Sequence, residues 1–440
     1  MDIFRRKAYD KMLEWKADNG RYALMIEGAR RTGKTTIATE FAKNEYRSHI
    51  IINFSVPNEE IENLFKDYGK GADRFFLRLQ EITNVHLHPR ESVIVFDEVQ
   101  KFPLARQLIK QLVEDGRYDY IETGSLISIK KNVEDIVIPS EEMPMELHPM
   151  DFEEFLWAMG NETTVPLIRE CFAKREPLGF DAHRRIMDLY TTYMIVGGMP
   201  QAVASFLEDN NFESVEKSKR TILNLYRNDA VKINARRILT MIPAFLSRHE
   251  KTFSPGMVRK GSATRDYLDA VEWLGESKMV NICIRSSDPG PAVDLTLDEN
   301  SFKMYMLDTG LMITQAFITN VADRRKLYDD LLRGRLNVNL GMVFENMVAQ
   351  ELTMTGHSLV FAKFEHDDSD YLQEVDFVIP EGGKVIPVEC KSGVSTRHVS
   401  LDRFLNKYGK SVKHAYVVHG KDLRVDGDIT YIPIYMTMFI

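Results

Sequence analysis

Cysteine is scarce in this 440-residue chain: Cys171, Cys283 and Cys390 are the only three, and they lie far apart. They form no disulfide framework and no zinc-ligand spacing, and they suit a reducing compartment. The 11 histidines show no paired ligand spacing either, so no structural zinc is expected. No apolar run is long enough to span a bilayer. The N-terminal MDIFRRKAYDKMLEWK is charged throughout, with no apolar signal core. A cytoplasmic protein with no membrane partner is expected. An excess of basic charge is also missing. Lys and Arg number 57 against 65 Asp and Glu, for a net charge of -8. That argues against a chain-wide electrostatic grip on nucleic acid and leaves room only for a local basic patch. Internal repeats and low-complexity linkers are absent.

The remainder is ordinary globular composition, 44% apolar and 28% charged. The length favours two to four domains. Residues 1–19 read as a leading helix, with Phe4, Ala8, Met12 and Trp15 at helical spacing and Asn19-Gly20 stopping it. Short apolar runs at Tyr22–Glu27, Ile50–Phe54, Ser92–Asp97, Tyr118–Thr123 and Met143–Leu147 read as strands. Helical patterns at Lys34–Asn44, Glu59–Phe65, Ala72–Ile82 and Pro103–Gly116 separate the first four. Strands alternating with helices predict right-handed crossovers and a parallel sheet covered on both sides. The predicted fold over residues 1–150 is thus α/β, a parallel sheet with helices on both faces. Amphipathic stretches predict a helical region over 151–250, in which Phe152, Phe155, Leu156 and Trp157 read as core. Two helices, a Gly break and a strand predict a winged-helix-like module over 251–320. Residues 321–440 turn α/β again, with a helix at Leu340–Thr353 and strands near Ser358–Phe361, Glu374–Ile379, Val385–Cys390 and His414–Val418.

The strongest motif follows the first strand. Gly28-Ala29-Arg30-Arg31-Thr32-Gly33-Lys34-Thr35 matches G-x-x-x-x-G-K-[ST] in full, and Thr36 extends it into the helix. A polyphosphate must be met by converging backbone N–H groups, so the loop must wrap tightly, which Gly28 and Gly33 permit. The next helix aims its positive end at the same phosphates. Lys34 should reach the β- and γ-phosphates, and Thr35 should ligate Mg²⁺. SVIVFDEVQ then ends an apolar strand in two acids, where a parallel sheet lines its ligand crevice. Asp97 is expected to hold Mg²⁺ through water and Glu98 to orient or deprotonate the attacking water. The bland alternative is a solvated acidic turn. Thr123-Gly124-Ser125 closes the next strand, where Thr123 or Ser125 would position water or sense the γ-phosphate. An ordinary turn is the alternative there.

These residues resemble the AAA+ ATPases, and more closely one bacterial and archaeal group with an N-terminal AAA-type ATPase and a C-terminal domain of unknown function; the resemblance implies a P-loop NTPase sheet over residues 1–150. The resemblance rests on GARRTGKTT, VIVFDEVQK, ETGS, PMDFEEFL, GGMPQAV, YMLDTGL, GMVFENMVAQEL and EVDFVI…VECKSG, and covers nearly the whole chain. One departure is visible: relatives often carry Gly-Arg before the PMDFEEFL-like element, where this chain has Ser140-Glu141-Glu142. A charge-stabilising arginine, which such hydrolysis usually needs, has four candidates: Arg117, Arg227, Arg236 and Arg237. Each is equally readable as a solvated surface residue.

In the C-terminal part, Asp376 and Glu389-Cys390-Lys391 stand on successive predicted strands, and Glu345 stands on the preceding helix. Glu389 and Lys391, two apart, share a strand face. This set is similar to the PD-(D/E)XK nuclease core. Its chemistry would use Glu345, Asp376 and Glu389 to hold Mg²⁺ at a second site, with Lys391 stabilising charge or poising a water. The competing reading is a cross-strand ion pair on a binding module. Arg259, Lys260 and Arg265 near the winged-helix candidate would suit DNA phosphates.

The primary expectation is an ATP-binding, Mg²⁺-dependent AAA+ ATPase that couples hydrolysis to movement of the helical region, with DNA as one partner class. Two alternatives stay open. One is a nucleotide-gated nuclease or DNA-binding defence protein. The other is an ATP-dependent adaptor for protein partners that does not touch DNA. The oligomeric state is open as well.

Overall fold

The computed structural model describes residues 3–18, 20–124, 141–231, 233–290, 293–317, 328, 340–366, 369–393 and 397–440. The chain divides into two compact units, Met1–His148 and Pro149–Ile440.

The first unit is a parallel sheet with helices on both faces. Its strands are β1 (Ala23–Glu27), β2 (Ser48–Asn53), β3 (Ser92–Asp97), β4 (Asp119–Gly124) and β5 (Glu142–Glu146), in the order β2-β3-β4-β1-β5. Every pairing is parallel. Side chains alternate across the pleat. Ala23, Met25, Ile94 and Phe96 join one core with α3 (Glu59–Lys66), α4 (Ala72–Thr83) and α5 (Pro103–Asp115). Leu24, Ile26, Val93 and Val95 join the opposite core with α1 (Lys7–Ala17) and α2 (Lys34–Glu45). Burial on both faces explains why these strands read as unbroken apolar runs. Each fully buried Ile, Leu or Phe contributes roughly 1.5–3 kcal/mol. The leading helix is shorter than the pattern from residue 1 suggests. It starts at Lys7, because Arg6 is extended (φ -128°) and its side chain is bonded elsewhere.

The second unit opens with helices: α6 (Phe152–Ala158), α7 (Thr164–Lys174), α8 (Phe180–Val196), α9 (Pro200–Asp209), α10 (Phe212–Val231) and α11 (Arg236–Leu246). A capping box starts α6: the Asp151 carboxylate accepts from the Glu154 amide, and Glu154 accepts from the Asp151 amide. That accounts for the DFEE spelling. Next come α12 (Pro255–Val258), α13 (Leu268–Glu276), β6 (Val280–Ser286), β7 (Leu297–Met306), α14 (Thr309–Ala316) and α15 (Leu340–Met354). The order closes with β8 (Val360–His366), β9 (Ser369–Val375), β10 (Phe377–Glu381), β11 (Lys384–Lys391), α16 (Val399–Tyr408), β12 (Ala415–His419), β13 (Arg424–Asp426) and β14 (Ile429–Pro433).

Two sheets form here, β7-β6-β8-β9 and β10-β11-β12-β14-β13. The first spans residue 320, because β6 pairs in parallel with β8. The β6–β7 hairpin therefore shares a sheet with strands from beyond the expected module boundary. The run expected as one strand at Glu374–Ile379 is two, broken at Asp376, where the chain leaves one sheet for the other.

Two of the glycine motifs meet. The Gly197 φ is +80°, and the Asp308 carboxylate caps α14 through the Leu311 amide (2.8 Å) while accepting from the Gly198 amide (2.6 Å). A Cβ on Gly198 would lie 2.0 Å from the Met150 carbonyl oxygen, and one on Gly310 2.7 Å from the Gly197 backbone. GGMPQAV and YMLDTGL are thus two halves of one close-packed joint.

Candidate functional site

The candidate ATP site lies at the C-terminal ends of β1, β3 and β4. Gly28 leaves β1 with φ +150°, and a Cβ there would sit 2.4 Å from the Leu147 carbonyl oxygen. Arg31 (φ 69°) and Gly33 (φ 100°) turn the loop back into α2. The Thr32 hydroxyl, fully buried, closes it from inside by donating to the Ala29 carbonyl (3.0 Å). Lys34 folds its ammonium into the ring, donating to the carbonyls of Gly28 and Ala29, each at 2.9 Å. Burial lowers its pKa to about 8, against opposing pulls from Glu98 and Asp97. Arg30, Arg31, Thr35 and Thr36 are exposed on the loop and first turn.

Because β4 lies between β1 and β3, its end reaches both the loop and the acidic strand end. Asp97 is buried and fully engaged. Its Oδ1 accepts from the Thr35 hydroxyl (2.6 Å) and the Thr123 hydroxyl (2.7 Å), and its Oδ2 from the Asn53 side-chain amide (2.9 Å). Loop and strand end therefore share one site. The Thr123 hydroxyl also accepts from the Glu98 amide (3.2 Å). Glu98 sits at φ 57°, a left-handed conformation uncommon outside glycine, and its Oε2 accepts from the Gln100 amide at 2.5 Å. Ser125 and Ser140 lie outside the described residues.

Three supporting residues escape a sequence reading. Asn53 ends β2 beside Asp97, Gln100 follows Glu98, and Arg6 reaches the loop from before α1. Arg6 donates to the Thr32 carbonyl (3.0 Å) and the His148 carbonyl (2.7 Å). A polar residue at the end of an apolar strand is a signal for Asn53; nothing local marks Arg6. The acid at the Gly-Arg departure has an arginine partner from elsewhere. Glu142 takes a two-point contact from Arg106 of α5, at 2.8 and 2.5 Å, with both side chains buried. Among the arginine candidates, Arg117 is engaged by Asp115 (2.6 Å) and Asp73 (2.7 Å) and packs on Phe76. Arg227 donates to Gln315 (3.3 Å). Arg236 and Arg237 are exposed at the start of α11, beside a hollow lined also by Asn234 and Thr240.

The C-terminal candidates also converge. Glu345 is buried on α15, Asp376 stands at the sheet switch, and Glu389 and Lys391 share a face of β11. Their partners are mostly cations. Glu345 accepts from Lys251, from Lys303 (3.2 Å) and from the Tyr305 hydroxyl (2.5 Å). Lys391 bonds Glu389 (2.7 Å), and the Asp376 Oδ2 accepts from the Cys390 amide (2.8 Å). Ion pairs hold the Glu345 pKa down at about 2, while burial and the neighbouring Asp376 push Glu389 up to about 8. Among the described residues no group of three or more His, Cys, Asp or Glu is arranged to hold a metal ion. Lys303 was the missed residue here. Its signal is a lysine inside the apolar strand run FKMYM.

Residues 20–156 match a family model described as an AAA domain. Residues 187–322 and 340–437 match two further models, described as domains of unknown function (DUF8612 and DUF4143). No curated protein matches the chain. Solved structures similar to it include the Walker-type ATPase paby2304 of Pyrococcus abyssi, at 16% identity over 71% of this chain and 96% of that one, with a TM-score of 0.43. Cdc6p from Pyrobaculum aerophilum is 12% identical over 74% and 94%, TM-score 0.27. The RuvB Holliday junction branch migration motor of Thermotoga maritima is 11% identical over 63% and 89%, TM-score 0.29. Likenesses of this size carry no argument of their own. No described helix is long and apolar enough to cross a membrane. The AAA domain match supports, at the level of that family, nucleotide binding and ATP hydrolysis by the N-terminal part of the chain.

Proposed function

We propose that the chain is a Mg²⁺-dependent ATPase whose N-terminal unit binds ATP between the 28–36 loop and the end of β3. The observation that carries this reading is the hydrogen-bonded series Thr35–Asp97–Thr123, which joins the phosphate loop to the acidic strand end. The residues fit the cofactor. A loop-enclosed ammonium and a helix N-terminus face the place for phosphates, and the Thr35 hydroxyl and Asp97 carboxylate are the oxygen pair suited to hold Mg²⁺. When bound, Mg·ATP supplies the transferable phosphoryl group and much of the charge that stabilises its transfer. Lys34 trades its loop carbonyls for phosphate oxygens. Glu98 orients the attacking water and accepts its proton, with Gln100 fixing one carboxylate oxygen. Thr123, bonded to both Asp97 and the Glu98 amide, keeps the two acids in register.

The test is direct. Lys34→Ala should abolish ATP binding in a calorimetric titration. Glu98→Gln should bind ATP but lose about 10²–10⁴-fold in turnover. Normal ATP affinity in the Lys34 variant would overturn the reading. We read 251–320 as winged-helix-like, supported by α13 followed by the β6–β7 hairpin, and 321–440 as nuclease-like, supported by α15 and the mixed sheet that carries Glu389 and begins just after Asp376. Exposed Arg259, Lys260 and Arg265 make DNA the partner to try first. The ATPase rate with and without duplex DNA decides between a DNA-coupled enzyme and one serving protein partners.

A further inference from the structure

We infer that Lys303 is a built-in cation of the C-terminal carboxylate cluster. It takes the place a divalent metal would need, so this domain does not carry out metal-dependent phosphodiester cleavage. The inference concerns the second unit and is independent of the ATPase reading.

Lys303 lies on β7 and is fully buried. Its ammonium is 2.7 Å from Glu374, 3.2 Å from Glu345 and 3.8 Å from Asp376. Its remaining side is covered by the Phe361 ring, 4.8 Å from the centroid. The position cannot be vacated cheaply. The residue is anchored in the middle of a strand pair, its stem is enclosed, and removing a cation from three carboxylates would leave buried like charges. Lys251 takes the other oxygen of Glu345. A Mg²⁺ ion needs oxygens at about 2.0–2.1 Å in near-octahedral array. An ion bound to Glu345 and Asp376 would press against the Lys303 ammonium with like charge.

The charge balance points the same way. Five carboxylates, Glu250, Glu345, Glu374, Asp376 and Glu389, meet four ammoniums, Lys251, Lys303, Lys363 and Lys391. The formal surplus is one negative charge, less than the two positive charges a dication would add. Lys391, the side chain a nuclease would use to poise water, is spent on Glu389. One carboxylate oxygen of Glu389 has no hydrogen-bond partner, but a single free oxygen is not a ligand set.

The test uses the full chain without nucleotide and Mn²⁺ as the probe, followed by electron paramagnetic resonance. The wild type should show no Mn²⁺ binding beyond that of an Asp376→Asn/Glu389→Gln variant. Lys303→Ala should gain one Mn²⁺ per chain, at least tenfold tighter than wild type, because it uncovers the carboxylates. Lys303→Arg, which keeps the cation, should gain none. Supercoiled plasmid incubated with Mg²⁺ or Mn²⁺ should be nicked no faster by wild type than by the double variant. One Mn²⁺ per wild-type chain, or plasmid nicking, that disappears in the double variant would overturn the proposal. These two wild-type results decide it even if Lys303→Ala fails to fold.

Discussion

Lys34 holds its positive charge at a cost. Burial brings its pKa down to about 8, so the charged form penalises folding at neutral pH. That penalty fades as pH rises from about 8 toward the ordinary lysine range, since there the unfolded chain binds more protons than the folded one. Phosphate oxygens arriving beside it should restore the preference for charge. ATP binding at pH 8.5 should therefore take up protons. Calorimetry in buffers of different ionisation enthalpy should give a slope of a sizeable fraction of a proton, shrinking toward zero at pH 6.5. A flat response at pH 8.5 would mean that the ammonium is not at the phosphates. The residues legible in the sequence were those whose meaning is local: the loop, Asp97 and Glu98 closing β3, and Thr123 closing β4. Arg6, Asn53 and Lys303 were not, because each acts on a group remote in sequence, and spacing carries no trace of such pairs.

Among the elements, the strands and helices of the first unit follow the hydrophobic pattern to within a few residues, since its central strands β1, β3 and β4 are buried on both faces. Legibility fell where one residue changes the role of a run. Asp376 splits an apparent strand between two sheets, and its reason, the bond to the Cys390 amide, lies across a hairpin. The α5–β5 packing offers a test at this scale. Arg106 and Glu142 form a buried two-point pair, whose loss leaves an uncompensated charge. Arg106→Met alone should destabilise the N-terminal unit by about 3–5 kcal/mol in urea unfolding. Arg106→Met with Glu142→Met should recover most of that. Equal loss in the single and double variants would show that packing, not charge, sets the cost.

For the whole molecule, the residues proposed to bind ATP all fall in the unit Met1–His148. Ligand stabilisation should appear there directly. With Mg·ATP at 100 times its Kd, the gain is about 2.7 kcal/mol. Hydrogen exchange of the slowest amides in the β1, β3 and β4 strands should slow by about 100-fold, read in the Glu98→Gln variant to prevent turnover. Unchanged exchange in those strands would contradict ATP binding at this sheet. The acidic net charge of -8 makes any DNA contact a matter of local patches, so its salt dependence should be shallow.

Arg6 bears on how this protein can be dissected. It ties the Thr32 carbonyl to that of His148, yet it precedes the segment that matches the AAA domain model, which begins at residue 20. A recombinant piece trimmed to that border would keep every textual signature of an ATP binder and lose the strut that tensions its phosphate loop. Weak nucleotide affinity in such a piece would then report on where the scissors fell, not on the chemistry of the intact chain.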